Sequence, residues 1–384
     1  MTRVAFLVAA SLILGVLGAS GSGWYRTHDF YALYSGSRMV ALGMDPYDER
    51  QWCAFTENTT PEAFDRSRDI AVCFVRYAYP MWTALLLIPL GILSLPAAAS
   101  LWLALSLGLV VAALRWSWLA VGGAASWMLL YAMIVIFSQP FALLLALGQM
   151  GGVLFAIVAF TAYAVARGHD RGAGASLALT ALKPNVLPLL AVALLAWAAI
   201  HRRIALIVTA FTAGALLLAL SLVVGPTWIG EWLKELFGRQ IGHSVEYATA
   251  WGFAAVDLHL PGAAPVLIAL LVGIVALVAR ERLREPVALM AVAIPVSTFA
   301  TPYAWSYDDL VLALPWALVL AVAARAERVP RLVLLVLLLT VAIAAPWVLW
   351  GVAARRHTES LTALVPAATA VLAAVALRME RART

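Results

Sequence analysis

"RIALIVTAFTAGALLLALSLVV", residues 203–224, holds no charge beyond its first arginine. About 20 apolar residues are what a helix needs to cross a hydrocarbon core of about 30 Å. Comparable runs recur along the chain, at 3–20, 80–94, 96–114, 118–138, 141–166, 174–200, 263–280, 286–301, 308–325, 329–351 and 360–378. Together they predict an all-α polytopic membrane protein, a bundle of about twelve transmembrane helices. Of the 384 residues, 64% are hydrophobic and 12% are charged, against about 25% charged in a soluble domain. A soluble domain of ordinary size is therefore excluded, and 1–384 reads as one integral membrane domain.

Basic connectors mark one side. His201-Arg202-Arg203, Arg280 to Arg284, Arg325 to Arg331 and Arg378 to Arg383 face the cytoplasm under the positive-inside rule. Both termini then lie inside, and 21–78, 225–262, 302–308 and 352–359 lie on the exported side. Arg167 and Arg171 break the rule, which leaves the span from 118 to 172 open between two clean crossings and a half-helix. The net charge of +6 belongs to these bilayer edges, where anionic membrane lipids attract cations, and does not call for nucleic acid. The location expected is the plasma (inner) membrane, multi-pass, with the site facing the exterior. The opening segment has signal-peptide character, with Arg3 before a short apolar core; it reads as an uncleaved first helix.

The chain's two cysteines, Cys53 and Cys73, fall in the first exported loop, where an oxidising compartment favours a disulfide. That loop also gathers acids and arginines around "FYALYSGSRMVAL", whose Phe30, Leu33, Tyr34 and Met39 fall near helical spacing. An amphipathic helix on the membrane surface is predicted there. A second is predicted in "WIGEWLKELFGRQIGHSVEYATAWGF", 228–253, with Trp228, Trp232, Leu233, Leu236 and Phe237 on its apolar face.

Several polar residues sit where lipid should forbid them. Asp29 follows the first crossing beside His28; it fits a helix N-cap, and a pinned carboxylate at a membrane edge also fits a general base. Lys183, Pro184 and Asn185 interrupt a run otherwise apolar from Ala173 to Ala199. A charge there costs about 2.5–3.5 kcal/mol on insertion scales, so it faces a polar partner or snorkels. Pro184 and Pro188 should break the helix. Gly148, Gln149, Gly151 and Gly152 lie in another apolar run; close packing explains the glycines, while the Gln149 amide needs partners. "TPYAWSYDDLVLALP", 301–315, brings Tyr303, Trp305, Tyr307, Asp308 and Asp309 to the mouth of a helix. No P-loop, dinucleotide fingerprint, HExxH or Cys/His metal spacing occurs. No cofactor is called for, and nothing requires a metal, although Asp308 and Asp309 could bind one.

Taken in order, "HDFYALYSGSRMVALGMDPYD", "YPMWTALLLIPLGILSLPAAASLW", "LGQMGGVLF", "ALKPNVLP" and "TPYAWSYDDLVLALP" resemble glycosyltransferase family 87, over about residues 28 to 315. The resemblance implies a GT-C fold and transfer of a sugar, mannose first among the candidates, from a polyprenyl-phosphate donor to a lipid or glycan acceptor of the envelope. By the same resemblance Asp29 matches the catalytic base. Asp45, Pro46 and Tyr47 match the end of that element, Gln149 a Gly-Gln motif, and Lys183 with Pro184 a Lys-Pro motif. Where many relatives resemble Ser-Pro-x-Ser-Trp-x-His-His, this chain has Tyr307 and Asp308 in place of the histidine pair. His243 and His259 are the exported histidines nearby.

On this reading Lys183, or Arg38 in the first loop, would meet the donor phosphate. Tyr25, His28, Asp45, Tyr47, Gln149, Asn185, His243, Tyr303, Trp305, Tyr307 and Asp308 would meet sugar or acceptor, with Tyr31 as a further stacking surface. The competing readings are a carrier or flippase for a lipid-linked sugar, and an inactive family member.

Overall fold

A computed structural model describes residues 29–59, 76–240 and 246–381; the side chains of Arg239, Gln240 and Arg381 are not described. The expected first crossing, together with Tyr25, His28, Cys73 and His243, lies outside these residues. The described chain is helical, 82% of it, with no strand. It forms two compact units interleaved in sequence. One comprises 1–111, 143–150 and 214–242, and the other 112–142, 151–213 and 243–384.

Six helices among the described residues are long and apolar enough to cross a membrane. They are Leu95–Ala120, Ile204–Val224, Pro261–Ala279, Ser306–Arg325, Arg328–Arg356 and Ser360–Glu380. Three shorter apolar helices, Gly151–Ala166, Pro188–Ile200 and Pro286–Ala300, accompany them. The expected count of twelve is not reproduced, and the reasons are local. Residues 80–94 form two short helices, Met81–Leu86 and Ile88–Gly91, instead of a crossing. Pro89 stands just inside the second of them, where its missing N–H costs nothing. The run 141–166 is interrupted at 148–150, and the segment before it holds Ala125–Ile136 followed by Gln139–Leu147, bent by 57°. The break falls at Phe137-Ser138, and Pro140, in the first turn of the second helix, has no N–H to continue the hydrogen-bond ladder from the first.

In the second unit, Ser306–Arg325 is 94% buried over its apolar window, whereas Arg328–Arg356 is only 22% buried. Both are apolar enough to span, and the less apolar of the two is the one packed among helices, while the more apolar one is turned outward. Pro286–Ala300 and the C-terminal helix Leu364–Arg381 pack on one another and on the central segment. Arg203 clamps Asp170 through Nε and Nη2 at 2.5–3.0 Å, joining two connectors.

In the first unit, the helix Asp29–Ala41 exists as the spacing predicts, but it does not lie with one face open. Its residues from Phe30 to Ser37 are all buried, as are Met39 and Val40. Small residues allow this. A methyl group at Gly91 would stand 2.7 Å from the backbone nitrogen of Arg38, so two helices meet backbone to backbone there. Arg38, placed in that contact, donates to the carbonyls of Gly91 at 2.9 Å and Leu93 at 3.3 Å. The second expected surface helix, Trp228–Glu235, does expose Leu233, with Phe237 just beyond it. Its Trp228 and Glu235 point inward instead, so the apolar face is split.

Candidate functional site

The first polar cluster is built from a helix start and a helix break. Asp29 opens the helix Asp29–Ala41, where unpaired N–H groups and the helix dipole favour a carboxylate. Gln139–Leu147 ends because Gly148 adopts φ +66°, a left-handed conformation that suits glycine. Its N–H returns to Leu144 O at 3.0 Å, and its own carbonyl accepts from the Trp102 indole at 2.7 Å. The next helix begins at Gly151. Gln149 is thus held between two helices in a fixed backbone, only 2% exposed.

Its side chain meets both needs of a buried amide. Nε2 donates to Asp29 Oδ2, and Oε1 accepts from the Tyr79 hydroxyl at 3.1 Å. The carboxylate, which can only accept, fixes which way round the amide stands and leaves Oε1 for the Tyr79 hydroxyl. Phe30 stacks on Trp102 with ring centroids 6.1 Å apart, seating the start of the helix beside this break. Tyr79, on which the arrangement depends, is absent from the residues the sequence nominates.

Tyr79 belongs to an aromatic group. Tyr77 lies 5.8 Å from Tyr79 and 5.6 Å from Tyr47, and Tyr47 stacks on Trp228 at 6.4 Å. The Tyr47 hydroxyl donates to Tyr79 O at 2.7 Å, and burial pushes that hydroxyl far above the ordinary tyrosine range, so it stays a donor. Asp45 accepts from the Tyr47 N–H at 2.9 Å, shaping its own turn. Both nominated residues therefore carry structural bonds. Next to them opens a polar cleft of about 490 Å³, lined among others by Tyr47, Glu49, Arg50, Arg76, Lys234 and Glu235. Arg76 pairs across it with Glu49 at 3.2 Å and Glu235 at 3.9 Å. Cys53, in the helix Glu49–Thr59 bordering this cleft, is disulfide-bonded.

The second cluster lies in the other unit. The helix Asp170–Ala178 runs into a short 3₁₀ turn, Leu179–Leu182, and stops at Lys183, where Pro184 follows; Pro188–Ile200 resumes it. The predicted proline break is present. Lys183, 4% exposed, reaches Asp308 Oδ1 at 2.5 Å, and its ammonium stands 4.9 Å from the centroid of the Tyr307 ring. The buried lysine has a protein anion as partner; it does not snorkel. Asp308, 1% exposed, also accepts from the Trp305 N–H at 3.3 Å. Asn185 donates to Tyr303 O at 2.7 Å, and Tyr303 and Trp305 both meet Tyr247 edge to face. Two contributors escape the sequence. Gln139 donates to Ser306 Oγ at 2.9 Å, and Glu359 accepts from the Ser306 N–H at 2.7 Å. His259 lies exposed in a turn at φ +54°. No group of three metal-ligating side chains occurs among the described residues.

The described residues form an all-helical protein with several helices able to cross a membrane. Glycosyltransferase family 87 matches residues 77–302, more than half of the chain, and the chain belongs to that family. It is a membrane glycosyltransferase by that membership. The matched segment contains Tyr79, Gln149, Lys183 and Asn185; Asp29 and Asp308 lie outside it. No curated protein and no solved structure matches the chain.

Proposed function

We propose that the protein transfers a sugar, mannose in the first instance, from a polyprenyl-phosphate donor to a hydroxyl of an envelope lipid or glycan on the exported face, through a GT-C-type mechanism with Asp29 as general base. The observation that carries this reading is the Tyr79–Gln149–Asp29 chain of hydrogen bonds. An amide donor orients a carboxylate without cancelling its charge, which suits a group whose task is to accept a proton.

In the proposed reaction the acceptor hydroxyl gives its proton to Asp29 while its oxygen bonds to the anomeric carbon. The bond from that carbon to the phosphate oxygen breaks on the opposite face, and the phosphate leaves with the electron pair. The configuration inverts. The sugar is already activated by its phosphate, so no nucleotide or cofactor is needed. The polar cleft beside Tyr47 is assigned to the acceptor, because its mixed charges can serve both the donor and the acceptor function of sugar hydroxyls. For the leaving phosphate the sequence nominates Lys183 and Arg38. Each already holds a protein oxygen, so either would bind phosphate by exchanging partners.

The test is transfer by purified full-length protein in vesicles containing labelled polyprenyl-phosphate-mannose and membrane-lipid acceptors. Wild type is expected to form product, and Asp29→Asn to form it about 10²–10⁴-fold more slowly while still binding donor. Transfer by that variant at the wild-type rate would remove Asp29 from the role. Movement of the donor across the vesicle without product would instead favour a carrier.

A further inference from the structure

The helix Ala264–Ala279 carries a feature that transfer does not use. Val266, Leu270, Ile274 and Leu277 follow helical spacing on one face and are 46–73% exposed. In the middle of that face is Gly273. A Cβ built there meets no atom within 4 Å. Glycine inside a helix is unfavourable relative to alanine, by about 0.5–1 kcal/mol, and no neighbour among the described residues demands its small size.

What it leaves is an open groove of about 600 Å³ lined by Pro265, Val266, Ala269, Leu270, Ile274 and Leu277, with almost no polar surface. At Leu277 the groove meets a second cleft of about 320 Å³, bounded by Arg280, Arg282 and Arg378 with one acid, Glu281. Arg282 is held by Glu380 at 3.0 Å and Glu285 at 3.2 Å. Arg280 has only a long contact, 3.8 Å, to Glu281, and is 71% exposed. Apolar character along the helix thus gives way to cationic character at its end.

The dimensions identify the occupant. From Val266 to Leu277 the helix rises about 16 Å at 1.5 Å per residue, close to one leaflet of a hydrocarbon core of about 30 Å. An acyl chain laid in the groove from the bilayer middle would place its headgroup phosphate at the arginines. We infer that this face is a binding site for one anionic phospholipid of the surrounding bilayer, its chain filling the notch at Gly273 and its phosphate seated on Arg280 and Arg378. A second copy of the protein fits less well. Two parallel copies packed by a two-fold axis through this face would set the same arginine cluster against itself.

The experiment uses the full chain in bilayer discs of phosphatidylcholine with a minor share of phosphatidylglycerol, followed by native mass spectrometry of retained lipid. Wild type is expected to retain phosphatidylglycerol in preference to phosphatidylcholine. The Arg280→Gln/Arg378→Gln variant should lose about 30-fold of that preference, roughly fivefold for each cation. Gly273→Leu, which has room for its side chain, should lose retention of the anionic lipid with the arginines intact. Equal retention of the two lipids by wild type, or undiminished preference in both variants, overturns the site. So does a dimer that Gly273→Leu disperses, because the groove would then belong to a second copy.

Discussion

The two polar clusters of this apolar protein handle charge in opposite ways. Asp29 is half-buried at a helix start and meets a neutral amide, whereas Asp308 is almost wholly buried and meets a full ammonium. In the first arrangement the amide points a carboxylate without itself neutralising it. The second cancels the charge, and a charge cancelled inside a protein serves mainly to hold segments together. The difference teaches that a buried lysine in an apolar run is not by itself a ligand site: the fold had already supplied its anion.

The sharpest way to break the contrast is Asp29→Asn. General-base help is worth about 10²–10⁴-fold, and transfer should fall by that factor with melting unchanged. A variant that unfolds instead would move Asp29 into the structural class. The converse test is Lys183→Ala or Asp308→Ala, each of which strands one buried charge and should cost about 3–5 kcal/mol of stability in detergent melts. Lys183→Met combined with Asp308→Leu should recover most of that loss, since the pair itself contributes little net energy. If the double variant is no more stable than the single ones, the pair has a role beyond neutralisation.

Gln149 comes next. Gln149→Leu leaves the Tyr79 hydroxyl and the Asp29 carboxylate without their shared partner, a loss of about 1–3 kcal/mol. Tyr79→Phe removes one neutral bond, worth about 0.5–1.5 kcal/mol. Both should lower kcat with little change in KM for donor, in that order. An effect confined to KM would place the amide on the sugar instead of on the base.

Gln149 was legible in the sequence because an amide in an apolar run must have a partner, and the proline break at Lys183 because proline cannot donate. Tyr79 was not. A tyrosine near the edge of an apolar segment fits an aromatic belt equally well, and only the fold shows its hydroxyl turned onto Gln149. Residues 80–94 misled for a related reason: hydropathy measures length and apolarity, and a pair of short apolar helices joined by a break has both. The helix Asp29–Ala41 was found from spacing alone. Its burial was not, because the residues that bury it, Tyr77 and Gly91 among them, are distant in sequence.

A third acid tests whether Asp29 does more than cap its helix. Asp48 precedes Glu49–Thr59, and its Oδ1 accepts from the backbone N–H groups of Arg50 at 2.8 Å and Gln51 at 3.0 Å, so it caps this helix at the edge of the polar cleft, which it also lines. Those bonds, Gln51's first, hold its carboxyl below the ordinary carboxylate range. A lowered pKa means the contribution to stability is complete above the unfolded value, near pH 4, and fades as pH falls through the lower folded value. Asp48→Ala should loosen this helix by about 1 kcal/mol, read as faster amide exchange in Glu49–Thr59. Asp48→Asn, which can still accept, should keep the cap and lose its acid dependence. Asp48→Asn, which keeps both the cap and the polar lining of the cleft, should leave transfer nearly unchanged, and Asp48→Ala should lower it far less than Asp29→Asn does. If Asp48→Ala lowered transfer as steeply as Asp29→Asn, loss of a cap would explain both effects, and the base would have to be sought elsewhere.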